Sequence, residues 1–182
     1  SSDGYMRNLL NGERVSGTDG YAARGLWSVE PSEDFELLFN IHGSKVDTLP
    51  NEYHQVGAVQ FNGASFDFCS QADIDAGLCT DVFFYNGPTD RYKGNYNRTE
   101  HLDNENLGGS VRADYDLGSV TLTSISAFES NDKLHPEDSD ASPLSLLEID
   151  FGVSSDTYTQ ELRVAGESGS MHWLVGLYYL GE

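Results

Sequence analysis

The stretch DTYTQELRVAGESGSMHWLVGLYYLGE, from Asp156 to Glu182, alternates with a period of two on both sides of a polar turn. Successive side chains of a strand point to opposite faces. Trp173, Val175, Leu177 and Tyr179 therefore share one side of the second half, while His172, Gly176 and Tyr178 take the other. In the first half Tyr158, Leu162 and Val164 form an oily side and Thr157, Thr159, Glu161 and Arg163 a charged one, with Gln160 the misfit on the oily side. Gly166-Glu167-Ser168-Gly169-Ser170 tolerates turn dihedrals, so the two halves are predicted to pair as a hairpin. A sheet with one greasy face and one wet face follows.

Working outward, the same unit recurs. Tyr21, Ala23, Gly25, Trp27 and Val29 alternate with Ala22, Arg24, Leu26, Ser28 and Glu30, and the segment from Pro31 to Asp34 closes that strand in a turn. Phe35, Leu37, Phe39 and Ile41 then take up the oily face, opposite Glu36, Asn40, His42 and Ser44. The cleanest alternation sets Leu107, Gly109, Val111, Ala113 and Tyr115 against Gly108, Ser110, Arg112, Asp114 and Asp116. Leu117-Gly118 turns into a β-branched strand from Ser119 to Ser130, whose facing both parities leave open. A short strand within Asp3 to Leu10 brings the expected number to seven. Two long segments interrupt the pattern. Lys45 to Asn104 is rich in Gly, Asn, Asp and Tyr, and Asn131 to Ser155 carries Glu137, Asp138 and Asp140 followed by Leu144, Leu146, Leu147 and Ile149. A loop as long as the first is uncommon in a compact domain and usually functional.

Composition narrows the class. With 30 acidic and 10 basic residues among 182, the net charge is -20, which argues against a nucleic-acid partner because phosphates would be repelled. No apolar run reaches the length of a membrane helix, but a membrane strand needs only about 9 to 11 alternating residues and escapes that test. Ser1-Ser2-Asp3-Gly4 has neither a basic nor an apolar leader region, so an export signal is expected to have been removed or to lie outside this stretch. Cys69 and Cys79 are the two cysteines, in polar surroundings that suit a disulfide in an oxidising compartment better than a four-ligand metal site.

Two regularities set the architecture. Long and short connections alternate, which sorts loops to one end of the sheet and tight turns to the other, and the strands run longer than the five or six residues typical of soluble sheets. A sandwich of the immunoglobulin type alternates in the same way but does not sort loop lengths by end. Transmembrane barrels do, with short periplasmic turns, long outer loops and aromatic girdles, and Tyr21, Trp27, Phe35, Tyr115, Trp173 and Tyr179 lie near strand ends as girdle residues would. The fold class expected is all-β: an antiparallel meander of about seven strands forming part of a larger transmembrane barrel. Seven is odd and too few to close, so the barrel is expected to continue beyond both termini.

Four phrases in order carry a family resemblance: LGSVTLTSISAF (Leu117 to Phe128), ASPLSLLEID (Ala141 to Asp150), QELRV (Gln160 to Val164) and WLVGLYY (Trp173 to Tyr179). Together they resemble the barrel domain of TonB-dependent outer-membrane receptors, in the iron-siderophore-like branch with a Cys-containing outer loop. The resemblance covers nearly all of residues 1–182 and implies one central piece of a barrel of about 22 strands. It further implies a plug domain and TonB as partners, a siderophore-like cargo, and outer-membrane lipid and lipopolysaccharide around the wall. The location implied is the bacterial outer membrane. Neither the plug, a TonB box nor a terminal aromatic strand end is recognisable in the sequence.

Several residues stand out against that background. Arg24, Arg112, Glu161 and Arg163 fall on the wet face, where they either line the path of an anionic chelate or form a solvated ion-pair ladder inside the barrel. Phe83, Phe84 and Tyr85, with Arg91, Tyr92, Tyr96 and Arg98, mix aromatics and cations on the first long loop. That composition grips a planar anionic chelate, and is equally that of a loop packing on itself. Asp73, Asp75 and Asp81 echo a calcium loop with the wrong ligand spacing. His42, His54, His101, His135 and His172 have no paired metal-ligand spacing. Asn97-Arg98-Thr99 matches a glycosylation acceptor, which means nothing in a bacterial protein. No nucleophile elbow, phosphate loop or positioned acid pair is present, so neither a catalytic residue, a metal nor a cofactor is expected. The sequence thus points to a transport receptor and not an enzyme. The rival is a soluble secreted β-sandwich for binding or adhesion, in which the oily faces of two sheets would meet.

Overall fold

A computed structural model describes Ser1–Leu49 and Glu52–Glu182. In chain order the elements are β1 (Met6–Asn8), β2 (Arg14–Val15), β3 (Thr18–Ser32), β4 (Phe35–Thr48), β5 (Val59–Phe61), β6 (Phe66–Phe68), α1 (Gln71–Asp75), β7 (Lys93–Gly94), β8 (Leu102–Asp116), β9 (Val120–Asp138), β10 (Glu148–Ser168) and β11 (Met171–Gly181). The six long strands form one sheet in the order β11-β10-β9-β8-β4-β3, an antiparallel meander whose outer strands, β3 and β11, each have one unpaired edge among the described residues. The chain is organised into two compact units: Ser1–Gly20 with Val46–Asp103 and Leu134–Gly152, and Tyr21–Lys45 with Asn104–Lys133 and Val153–Glu182. They are called here the loop unit and the wall unit.

In the wall unit the hairpin expected from Asp156 onward is present, with Gly169 at φ +63 in the turn. Leu162 pairs with Leu177, Val164 with Val175 and Gln160 with Tyr179, while Glu161 faces Tyr178 and Arg163 faces Gly176. Directly paired residues share a face, so this register keeps the oily side oily. Side-chain bonds extend the division across the sheet. Asn40 Nδ2 donates to Ser110 Oγ at 3.5 Å, and Thr123 Oγ1 donates to Asp114 Oδ1 at 2.6 Å. These place the even residues of β4 and β8 with the odd residues of β9 on the polar face. Ser124 and Ser126, bonded to Gln160, place the even residues of β9 on the oily face. The facing that sequence parity left open is thereby fixed.

Among the described residues no second layer covers this unit. Apart from Gly108, none of its residues is buried, and Leu177, Val175 and Leu162 are 73%, 63% and 50% exposed. Every buried apolar residue described, namely Met6, Val15, Cys79, Tyr96 and Ala141, lies in the loop unit. The dry interior that a sandwich requires is absent from the described residues. Exposed apolar patches on soluble monomers rarely exceed on the order of a few hundred Å², and an oily face running over six strands exceeds that class.

Two sequence expectations are corrected. The segment Asp3 to Leu10 does not join the large sheet. Met6–Asn8 pairs antiparallel with Arg14–Val15 and parallel with Lys93–Gly94, so the large sheet has six strands among the described residues instead of seven. Nor is Asn131 to Ser155 a long loop, because β9 continues to Asp138 and β10 begins at Glu148. The polar ends of these strands lose the oily alternation but keep the ladder. At ~3.3 Å per residue a strand the length of β8, 15 residues, reaches roughly 50 Å, about twice the height of the apolar band of a membrane barrel.

Candidate functional site

The loop unit is built around β1, β2 and β7. Asn8, itself buried, clamps the incoming chain: its Nδ2 donates to the Tyr96 carbonyl at 2.8 Å, and its Oδ1 accepts from the Tyr96 amide at 3.2 Å. Tyr96 is consequently 2% exposed and packs with Met6, Val15 and Ala141. Its hydroxyl has no partner among the described residues, and burial pushes its pKa up, with Glu52, Tyr85 and Asp138 adding to the effect. Tyr85 accepts from Asn95 Nδ2 at 3.0 Å and is also raised, chiefly by burial.

Acidic groups crowd the same region. Asp138, 1% exposed, accepts from the Ala141 amide at 3.0 Å while its Oδ2 has no partner among the described residues, and burial and Asp140 hold its pKa up at about 6. Burial, helped by Asp138 and Glu137, raises Glu52 to about 8. Arg98 is engaged twice, donating to Glu100 at 2.8 Å and to Asp150 at 2.6 Å, and these bonds raise its already high pKa. Arg91 lies over the Tyr92 ring, 6.0 Å from its centroid, and Tyr92 meets Tyr5 edge-on at 6.1 Å.

Further along this unit the hairpin of β5 and β6 is tied by the Cys69–Cys79 disulfide, and the serine at position 70 caps α1. Phe84, at φ +65, packs against Phe61 at 5.6 Å and Phe66 at 5.2 Å. Of the six loop residues singled out in the sequence, Phe84 and Tyr92 are exposed. Arg91 is exposed as well, Tyr85 and Arg98 are half-buried, and Tyr96 is buried. The residues that the calcium-like spacing suggested are bonded elsewhere: Asp73 accepts from Ser70, Asp75 from Gln71, and Asp81 from the Phe83 and Tyr85 amides. Among the described residues no group of His, Cys, Asp and Glu has metal-holding geometry.

The wall unit's polar face carries its own network. Arg24 Nε donates to Asn40 Oδ1 at 2.8 Å, Asn40 Nδ2 lies 3.2 Å from His42 Nδ1, and His42 Nε2 lies 3.0 Å from Glu129 Oε2. The Glu129 carboxylate lies across Gly108, where any Cβ would overlap it. Arg112 forks onto Asp114 at 2.6 and 3.0 Å, and Arg163 forks onto Glu161 at 2.6 and 2.8 Å. Arg24, Arg112, Glu161 and Arg163 share the polar face of the sheet, and two of the three arginines are neutralised by their own strand. Sequence reasoning missed Glu129, because its side of β9 was undecided until the partner strands were known.

Among the described residues the sheet is a single layer, oily on one side and ion-paired on the other. The crystal structure of the ferric yersiniabactin uptake receptor FyuA from Yersinia pestis superposes on 97% of this chain with a TM-score of 0.62 and 16% sequence identity. The fold is similar to that of a β-barrel receptor. The chain spans 24% of that receptor's length. No protein-family model matches the sequence, and no curated protein matches it.

Proposed function

We propose that the chain forms part of the barrel of a TonB-dependent outer-membrane receptor for uptake of a metal chelate, of the siderophore-iron kind, or a similar nutrient. The observation that carries this reading is the uncovered oily face of a six-stranded meander backed by a hydrogen-bonded polar face. Lipid is the medium in which such a face is at its lowest free energy, and water in a lumen is the medium for the other. In this reading Arg24, Arg112, Glu161 and Arg163 line the lumen, the loop unit faces the outside of the cell, and β3 and β11 pair with further strands of the barrel. Those two edges are long and regular, a hazard to any chain that leaves them open. A plug domain gates the lumen and TonB supplies the energy. No covalent step is required, so the role is capture and passage rather than catalysis.

The test is uptake. Cells carrying the full receptor as their sole importer for a panel of ferric chelates should accumulate radioactive iron only when TonB is present. The protein should also extract from membranes only with detergent. Accumulation independent of TonB, or a monomer stable in plain buffer, would count against the reading.

A further inference from the structure

We propose that the ligand-capturing surface of the loop unit is the aromatic cluster of Phe61, Phe66 and Phe84, and that it takes a small organic cation with an apolar body rather than an anionic chelate. This rests on the receptor reading in taking the loop unit as the part that meets cargo, and it names the charge class of that cargo. The three rings stand 5.2 to 5.6 Å apart, Phe61 and Phe66 on the disulfide-tied hairpin and Phe84 on the turn that packs against it. Phe61 and Phe84 are 48% and 60% exposed over a half-buried Phe66, and neighbouring Phe68 is 91% exposed. Phe84 is also presented in a conformation that a side-chain-bearing residue rarely adopts, φ +65. Asp81 holds that turn through bonds from the Phe83 and Tyr85 amides at 2.8 and 2.9 Å. The Asp81 carboxylate is thus fixed within the turn that carries Phe84.

Charge decides what such rings attract. The loop unit contains seventeen acidic and five basic residues. Asp67, Asp73, Asp75 and Asp81, on and beside the hairpin, accept hydrogen bonds from neutral donors, and none of them forms an ion pair among the described residues. Of the five cations in the unit, Arg98 is paired with Glu100 and Asp150 and Lys93 with Asp90, Arg91 lies over Tyr92, and the acids outnumber all five more than threefold. An anion approaching this surface meets net repulsion, whereas a cation gains both the long-range field and the faces of the rings.

The experiment uses the full receptor in a non-ionic detergent and two probes of matched body and opposite charge, benzyltrimethylammonium and benzylsulfonate, with binding read by saturation-transfer NMR. The cation is expected to bind about tenfold more tightly or better, with the preference shrinking as salt is raised. Phe84→Ala and, as a second variant, Phe61→Ala should each weaken cation binding several-fold while the Cys69–Cys79 disulfide stays intact on non-reducing gels. Equal or stronger binding of the sulfonate, or cation binding untouched by both variants, overturns the inference. The receptor reading is judged separately by TonB-dependent iron uptake. TonB-dependent uptake with an anionic preference sinks the charge assignment alone, and cation binding by a receptor that imports neither the ferric chelates nor a radiolabelled organic cation in a TonB-dependent way sinks the receptor reading alone.

Discussion

Ser126 Oγ donates to Gln160 Oε1 at 2.5 Å across the pairing of β9 with β10, on the face of the sheet that is otherwise oily. The amide's other end donates to Ser124 Oγ at 3.1 Å, and the Tyr158 hydroxyl lies 3.2 Å from Gln160 Oε1. The one polar residue that broke the pattern of the hairpin thus closes a local cluster. In hydrocarbon no water replaces a lost partner.

Gln160→Leu should therefore destabilise the barrel by about 1 kcal/mol, the typical worth of such a bond in a membrane protein. The combination Ser124→Ala, Ser126→Ala and Gln160→Leu should recover most of the loss, because no orphaned group then remains. Urea unfolding in lipid vesicles measures both. Strict additivity of the three substitutions would show that the cluster is not a unit.

Neighbouring residues on β8 offer a sharper contrast. Val111 lies on the oily face and Ser110 on the polar one, where it receives the Asn40 amide. Val111→Arg should cost about 2 to 4 kcal/mol in the same unfolding measurement if it sits near the bilayer midplane. Ser110→Arg should cost well under half as much. Similar costs for the two would mean that the faces do not meet different media.

The buried acids of the loop unit predict a pH dependence with a definite sign. Glu52, raised from 4.5 to about 8, and Asp138, raised from 3.8 to about 6, each bind protons more tightly folded than unfolded. Their stabilising contribution is complete below the ordinary carboxylate range and is lost as pH rises through 6 and then 8. Hydrogen exchange at the Val15 and Tyr96 amides, corrected for intrinsic rate, should report a looser loop unit at pH 8.5 than at pH 5.5. Glu52→Gln should flatten the upper part of that curve.

Reduction of Cys69–Cys79 should loosen the β5–β6 hairpin and leave the wall intact. A bridge closing a loop with a sequence separation of 10 contributes about 2 to 3 kcal/mol in the chain-entropy description. Exchange protection should fall from Val59 to Phe68 on reduction, with no change along β8 or β10. Loss of protection in the long strands would tie the two units together more tightly than proposed.

The faces were legible wherever one strand alternates by itself. β8 and β11 announced their sides through Leu107, Val111, Val175 and Leu177, because period two is a property of the single strand. β9 did not, since apolar and hydroxyl residues occupy both parities, and its side is settled by Asp114, His42 and Gln160 on the adjacent or next strands. The extensions of β9 to Asp138 and of β10 back to Glu148 were read as loop because polar residues there carry no oily stripe, although the backbone ladder persists. In the loop unit, aromatic and basic composition identified a segment rich in interactions. Composition alone could not separate Tyr96, which Asn8 draws into the core, from Phe84, which the Asp81 turn holds outward. That difference depends on contacts as distant in sequence as 88 residues.

The most direct measurement is a spin-label scan of the barrel reconstituted in lipid bilayers, with single labels at Phe39, Val111, Leu162 and Leu177 and at Asn40, Arg112, Glu161 and Arg163. The first set should collide readily with oxygen dissolved in the acyl chains, and the second with a water-soluble nickel chelate, alternating residue by residue along each strand. If the first set is instead shielded from both reagents, as it would be in a dry interior between two sheets, the membrane-wall account is wrong.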